Sequence, residues 1–155
     1  MNSFNTSAVS ESTQNVPLDE NPGRSTPAPE QTYFFTGTVE RVLAWNRIFK
    51  HPCYFEVIAY VLSLQEGELN CHKTILLKDK KGPILQATYY SNYNIDESVI
   101  RVGQMLRCVG YMTGVNTLTA VSIRSATSDE VAALKRFCYI GDFTISGLIN
   151  GENKK

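Results

Sequence analysis

The sequence predicts one mainly-β domain, a small barrel or sandwich of about five main strands, with a C-terminal helix and a disordered N-terminal leader. Three observations lead there. Composition changes abruptly near residue 31. From residue 33 to about 124, short apolar and β-branched runs alternate with turn-like segments. The next stretch carries a helix start signal and then apolar residues at helical spacing. A chain of 155 residues and 17.3 kDa suits one such domain with tails.

Residues 1–30 hold Pro17, Pro22, Pro27 and Pro29 and are rich in Ser and Thr. Large apolar side chains are too sparse there to offset the entropy of ordering the backbone. The charges of this leader, Glu11, Asp19, Glu20 and Glu30 against Arg24, give −3, so the remainder carries +3 although the whole chain is neutral. That balance excludes a histone-like polybasic binder and leaves room for a local basic patch. Thr13 precedes Gln14 and Thr26 precedes Pro27, pairs that kinases favour, which makes Thr13 and Thr26 the candidate phosphorylation sites. The leader lacks the apolar centre of a signal peptide, and no apolar run reaches the ~18 residues of a membrane span. Cys53, Cys71, Cys108 and Cys138 contain no C-x-x-C pair and read as reduced core thiols of an intracellular protein.

The β runs fall at 34–44, 53–64, 71–78, 84–90, 105–112 and 117–124. Between them lie Gln65-Glu66-Gly67-Glu68, Asp79-Lys80-Lys81-Gly82-Pro83, Ser91-Asn92-Tyr93-Asn94 and Thr113-Gly114-Val115-Asn116, all rich in turn formers. Short strands at this spacing argue against alternating β–α–β units. Gly103 and Gly110 flank the apolar strand Met105–Val109, where a strongly coiled sheet needs residues without side chains. Trp45 and Phe49 lie in the segment Arg41–Lys50 that leads into the barrel, and Trp45 reads as a packing plug. Thr127 and Glu130 form a capping box. Val131, Leu134 and Cys138 then share a face, with Phe137 beside them, and Gly141 supplies a stop. The expected organisation is a tail over 1–30, a domain over 31–140 ending in a helix of about 128–140, and a tail over 141–155.

Several segments follow one another in a recognisable order: Thr36-Gly37-Thr38-Val39, Tyr54–Leu64, Leu76-Leu77-Lys78-Asp79 with its turn to Gly82, and Ile84–Tyr90. Val102-Gly103 through Gly110, Thr117–Ile123 and Asp129–Phe137 complete the series. Together, residues 36–140 resemble the OB-fold domain of the middle subunit of replication protein A and its relative in the telomeric CST complex. The resemblance implies a mainly-β OB-fold, a five-stranded Greek-key barrel with a C-terminal helix that joins helices of sister OB-fold subunits. It also implies single-stranded DNA as ligand, a phosphorylated leader and a nuclear setting on chromosomes, telomeres included. Two departures stand out. About 15 residues follow the expected helix, too few for the winged-helix domain of replication protein A, and the loop Thr113-Gly114-Val115-Asn116 lacks the family's stacking aromatic and any positive charge.

No catalytic constellation emerges, so the expected protein is not an enzyme and needs no cofactor, metal or small-molecule substrate. His51 and His72 belong to no metal or nucleophile motif, and neighbours such as Cys71 and His72 point to opposite faces of a strand. OB barrels hold single strands by stacking bases on aromatic rings and tracking phosphates with basic groups. Tyr89 and Tyr90, where the resembled family stacks a base, are the candidate aromatics. Plain spacing from Gly82 selects Tyr89, whereas strand alternation puts Leu85, Ala87 and Tyr89 inward and Tyr90 outward. Lys78, Lys80, Lys81, Arg107 and Arg124 are the candidate phosphate contacts. Val131, Leu134, Phe137, Cys138, Tyr139 and Ile140 are the candidate partner-binding residues of the helix. The two functions in play are a single-strand-binding subunit and an assembly subunit with little nucleic-acid affinity.

Overall fold

The computed structural model describes residues 31–66 and 72–153. The expected disorder of 1–30, the phosphorylation sites Thr13 and Thr26, and Cys71 lie outside these residues. Eight main elements follow in order: β1 (Tyr33–Gly37), α1 (Val39–Ile48), β2 (Cys53–Glu66), β3 (His72–Lys78), β4 (Ile84–Tyr90), β5 (Met105–Met112), β6 (Thr117–Ser125) and α2 (Ser128–Asn153), with a short 3₁₀ turn at Glu97–Val99.

Strands β2, β3, β4, β6 and β5 pair in that order, and β5 returns to β2, which closes a five-stranded barrel. The 14-residue β2 makes the closure possible because it pairs along both edges. Phe55–Tyr60 run antiparallel to β5, Tyr60–Glu66 antiparallel to β3, and Cys53–Val57 parallel to β1. Register shifts at Val61/Ser63 and Val109/Gly110 supply the local twist that a small closed sheet needs. At the second shift, a Cβ on Gly110 would lie 2.0 Å from the Thr119 carbonyl oxygen, so β5 and β6 approach each other only through a residue without a side chain. Val57, Ala59, Val61, Ile75, Leu77, Leu85, Ala87, Leu106, Cys108, Leu118 and Ile123 fill the interior. Among the described residues Cys53, Cys108 and Cys138 are free thiols, as expected, and burial raises Cys53 and Cys108 to about 12.

The β run expected at 34–44 is corrected: the strand stops at Gly37, and Val39–Ile48 form a helix. Thr38 caps it by accepting from the Arg41 amide at 3.2 Å. Asp79, in the β3–β4 turn, accepts from the Val39 and Glu40 amides at 3.0 Å each. Two further donors at the helix start are thus satisfied from a turn distant in sequence. Val39, Val42, Leu43 and Trp45 are buried on one face of this helix and plug one end of the barrel. Locally the β-branched Val39 and Val42 look like strand. A long-range cap and a core-facing stripe turn the preference to helix.

The capping box of α2 forms as expected: the Thr127 amide donates to Glu130 Oε1 at 2.9 Å, and the Glu130 amide donates to Thr127 Oγ1 at 3.1 Å. The C-terminal boundary is corrected, since the helix runs 26 residues to Asn153 and passes through Gly141. Gly141 is not a stop but a notch, because a Cβ there would sit 2.5 Å from the Trp45 ring. Beyond the notch, buried Ile145 and half-buried Leu148 and Ile149 continue the inward face that Cys138 begins. Trp45 is 2% exposed and donates its indole N–H to Asp142 Oδ1 at 2.8 Å, which locks α1 to α2 and makes it the plug the sequence foretold.

Candidate nucleic-acid interface

The β3–β4 hairpin presents one outward face to solvent. Its cross-strand pairs are His72 with Tyr90, Thr74 with Thr88, Leu76 with Gln86, and Lys78 with Ile84; of these Thr74 alone is buried and the others are half-buried or exposed. Period-two alternation puts Leu85, Ala87 and Tyr89 inside, as the inward-set reading required. Tyr90 is 52% exposed and its ring lies 5.4 Å from that of His72. Tyr89 is 3% exposed, so as a stacking residue it is corrected to a core residue. Beyond the strand, the Asn92 side chain accepts from the Asn94 amide at 2.8 Å and shapes a turn that leaves Tyr93 96% exposed.

The opposite end of the hairpin is basic. Lys80 and Lys81 are exposed in the turn and Lys78 is half-buried beside it. Among the described residues no carboxylate is ion-paired with these three lysines. The turn's own acid, Asp79, directs both oxygens to the start of α1. The rings and the basic turn thus lie at the two ends of a seven-residue strand pair, about 20 Å apart at ~3.3 Å per residue.

The two candidate arginines are committed elsewhere. Arg107 pairs through Nε with Glu56, whose other oxygen accepts from Thr36 Oγ1 at 2.7 Å. Arg124 makes a two-pronged contact with Glu130, at 2.9 and 2.6 Å, that joins β6 to the first turn of α2. As phosphate contacts both are therefore corrected to structural ion pairs. The hydrogen bonds from Arg124 hold the Glu130 carboxyl down at about 2, with smaller help from the Thr127 amide. This folded value lies below the ~4.3 of an unfolded glutamate, so its stabilisation is full above about pH 5 and fades as the pH falls toward 2. Because the side chains of Arg124 and Glu130 are 41% and 21% exposed, the discounted effect is ~1 kcal/mol. Glu130→Gln should lower the urea midpoint at pH 7, and the gap from the parent should narrow on acidification. A gap that stays constant with pH would remove the ion pair as its cause.

On α2, Cys138 is buried and Leu134 and Phe137 are half-buried, with Leu134 and Cys138 beside Thr38 and Arg41 at the start of α1. Val131 is 40% exposed, Ile140 53% and Tyr139 69%. Sequence reasoning missed Phe143, which is 72% exposed and stacks on Tyr139 with ring centroids 6.4 Å apart. The expected stop at Gly141 hid it, although its spacing from Tyr139 and Ile140 is helical. His72 and Tyr93 were also missed as interface residues. Among the described residues no three His, Cys, Asp or Glu side chains gather as a metal site, and no helix is long and apolar enough to cross a membrane.

No protein-family model matches the chain, and no curated protein matches it. Solved structures share its fold. A structure of yeast Stn1 and Ten1 superposes with TM-score 0.52 at 9% identity, over 78% of this chain and 82% of that one. An S. pombe Stn1–Ten1 complex gives TM-score 0.49 at 15% identity, over 63% of this chain and 77% of that one. A replication protein A heterotrimer bound to single-stranded DNA gives 0.49 at 14% identity, over 59% and 73%. At 9% identity the yeast superposition shows shared architecture alone, the OB-fold.

Proposed function

We propose that this OB-fold chain is a non-catalytic subunit of a replication-protein-A-like or CST-like complex that binds single-stranded DNA in the nucleus. The observation that carries the reading is the β3–β4 face, with Tyr90 exposed beside His72 at one end and, at the other, Lys80 and Lys81, which pair with no carboxylate among the described residues. Stacking on Tyr90 needs an unpaired base, so single strands are preferred to duplex. With Tyr89, Arg107 and Arg124 withdrawn, the isolated chain binds weakly, with a Kd of about 10⁻⁴–10⁻⁶ M at physiological salt.

Fluorescence anisotropy with a labelled oligonucleotide at low salt tests this. Tyr90→Ala should weaken binding at least about fivefold, the lower end of one stacked base. Lys80→Gln with Lys81→Gln should flatten the salt dependence. A protein whose affinity ignores all three changes does not use this face.

A second observation favours an assembly role. Tyr139, Ile140 and Phe143 form an apolar outer stripe on α2, and monomers seldom leave such a stripe uncovered. The occupant proposed is the helix of another OB-fold subunit, in keeping with a yeast structure that contains Stn1 and Ten1 together. If oligonucleotides fail to bind and this stripe still recruits such a subunit, assembly is the function that remains.

A further inference from the structure

We infer that a groove on the other side of the barrel, between the end of α1 and the start of β2, is a nucleotide site: a base stacks at Tyr54 and Tyr111 and its phosphate meets Lys50. The inference extends the single-strand reading, because such a strand would contact the barrel at two places.

Three neighbouring strands supply the rings. Phe34 on β1 is in register with Tyr54 on β2. The Tyr54 ring stands edge-on to Tyr111 of β5, with centroids 5.9 Å apart. Phe34 is 54% exposed, and Tyr54 and Tyr111 are 39% exposed each. They form a row across the outside of the sheet at the ~4.8 Å spacing of paired strands. Three aromatics on adjacent strands offer a base more stacking surface than the Tyr90–His72 pair does.

Tyr54 and Tyr111 of the row line an open groove of about 630 Å³, with Asn46, Phe49, Lys50 and His51 among its other walls. That volume is within the range of small-ligand sites, ~300–1,000 Å³. Its lining selects for charge. No carboxylate lines it, and the Cys53 thiol in its wall is kept protonated by burial. Lys50 is exposed, and among the described residues its ammonium donates to the neutral Asn46 carbonyl, at 3.2 Å, and to no carboxylate. Glu152 reaches the His51 Nε2 from the end of α2, which holds that ring in place as part of the wall. Apolar ring faces, amide and hydroxyl groups and a cation with no acidic partner among the described residues fit a ligand that is aromatic and anionic. A partner protein would need an acidic group placed beside an apolar side chain to use Lys50 and the rings together, whereas a nucleotide carries both in one unit.

The test uses the full chain, labelled oligothymidylate in anisotropy at low salt, and thymidine monophosphate as competitor. Tyr54→Ala and Tyr111→Ala should each weaken binding at least about fivefold, Tyr54→Phe should retain it, and Lys50→Gln should weaken it and reduce its salt dependence. Thermal midpoints check that the variants fold. Competition by the monophosphate identifies a site for free nucleotide, and resistance to it identifies a site that needs the strand. Binding lost with Tyr90→Ala but unaffected by Tyr54→Ala, Tyr111→Ala and Lys50→Gln overturns the groove and leaves the β3–β4 reading intact. If neither oligonucleotide nor monophosphate binds, the groove fails together with that reading, and a partner protein is the occupant of the aromatic row.

Discussion

Trp45→Ala is expected to destabilise the protein by about 3–5 kcal/mol, the range for emptying a buried aromatic site. The indole is 2% exposed, ring-stacks on Phe55 and lies against Phe35. Its removal empties the notch at Gly141 and strips Asp142 of its indole donor, leaving that carboxylate the Arg41 contact at 3.5 Å. Since native domains are stable by only ~5–15 kcal/mol, the thermal midpoint should fall on the order of 10–20 °C. Trp45→Phe should cost less than the alanine variant but more than the ~1 kcal/mol of a lost hydrogen bond, since it loses the N–H and also the outer ring edge that packs on Gly37 and Gly141. Near-parental stability of the alanine variant, measured by thermal and urea unfolding, would show that α2 is not held to the barrel through this residue.

Phe143→Glu should leave folding untouched and abolish docking to a sister OB-fold subunit. At 72% exposure the ring contributes little to the monomer. At the centre of a helix–helix contact, a large aromatic is worth ~2 kcal/mol or more, and a buried carboxylate adds a desolvation penalty. The association constant should fall at least about thirtyfold in a titration of the two purified subunits. Phe137→Glu is the weaker probe, because Phe137 is half-buried and offers less free ring surface to a partner. Unchanged affinity in Phe143→Glu would clear the outer stripe of any role in assembly.

What was legible in the sequence was whatever the chain decides locally. The alternation through Ile84–Tyr90, the capping box at Thr127 and Glu130, and the glycine at the β5–β6 shift all appear as expected. Helix α1 was harder to read because, beside the local cap Thr38, two of its first amides are satisfied by Asp79 in the β3–β4 turn, about forty residues on. Gly141 misled for a related reason: a helix stop and a packing notch look identical until the ring of Trp45 is placed against it. The interface was half legible. Alternation could separate Tyr90 from Tyr89, but sequence shows neither that Arg107 belongs to Glu56 nor that Arg124 belongs to Glu130. The row Phe34, Tyr54 and Tyr111 assembles only when the register of three strands is known.

Helix α2 is fastened along its length, by Arg124 at Glu130, by Trp45 and Arg41 at Asp142, and by His51 at Glu152. A rod pinned at both ends and the middle loses little conformational freedom when a second helix lies down on it. Docking then resembles the meeting of two finished surfaces, without coupled folding, and its rate should sit in the ~10⁵–10⁷ M⁻¹s⁻¹ range set by diffusion and orientation. Loosening one pin, for instance with Glu130→Gln, would act on the partner at a distance through the entropy of an unmoored helix, with the outer stripe itself unaltered.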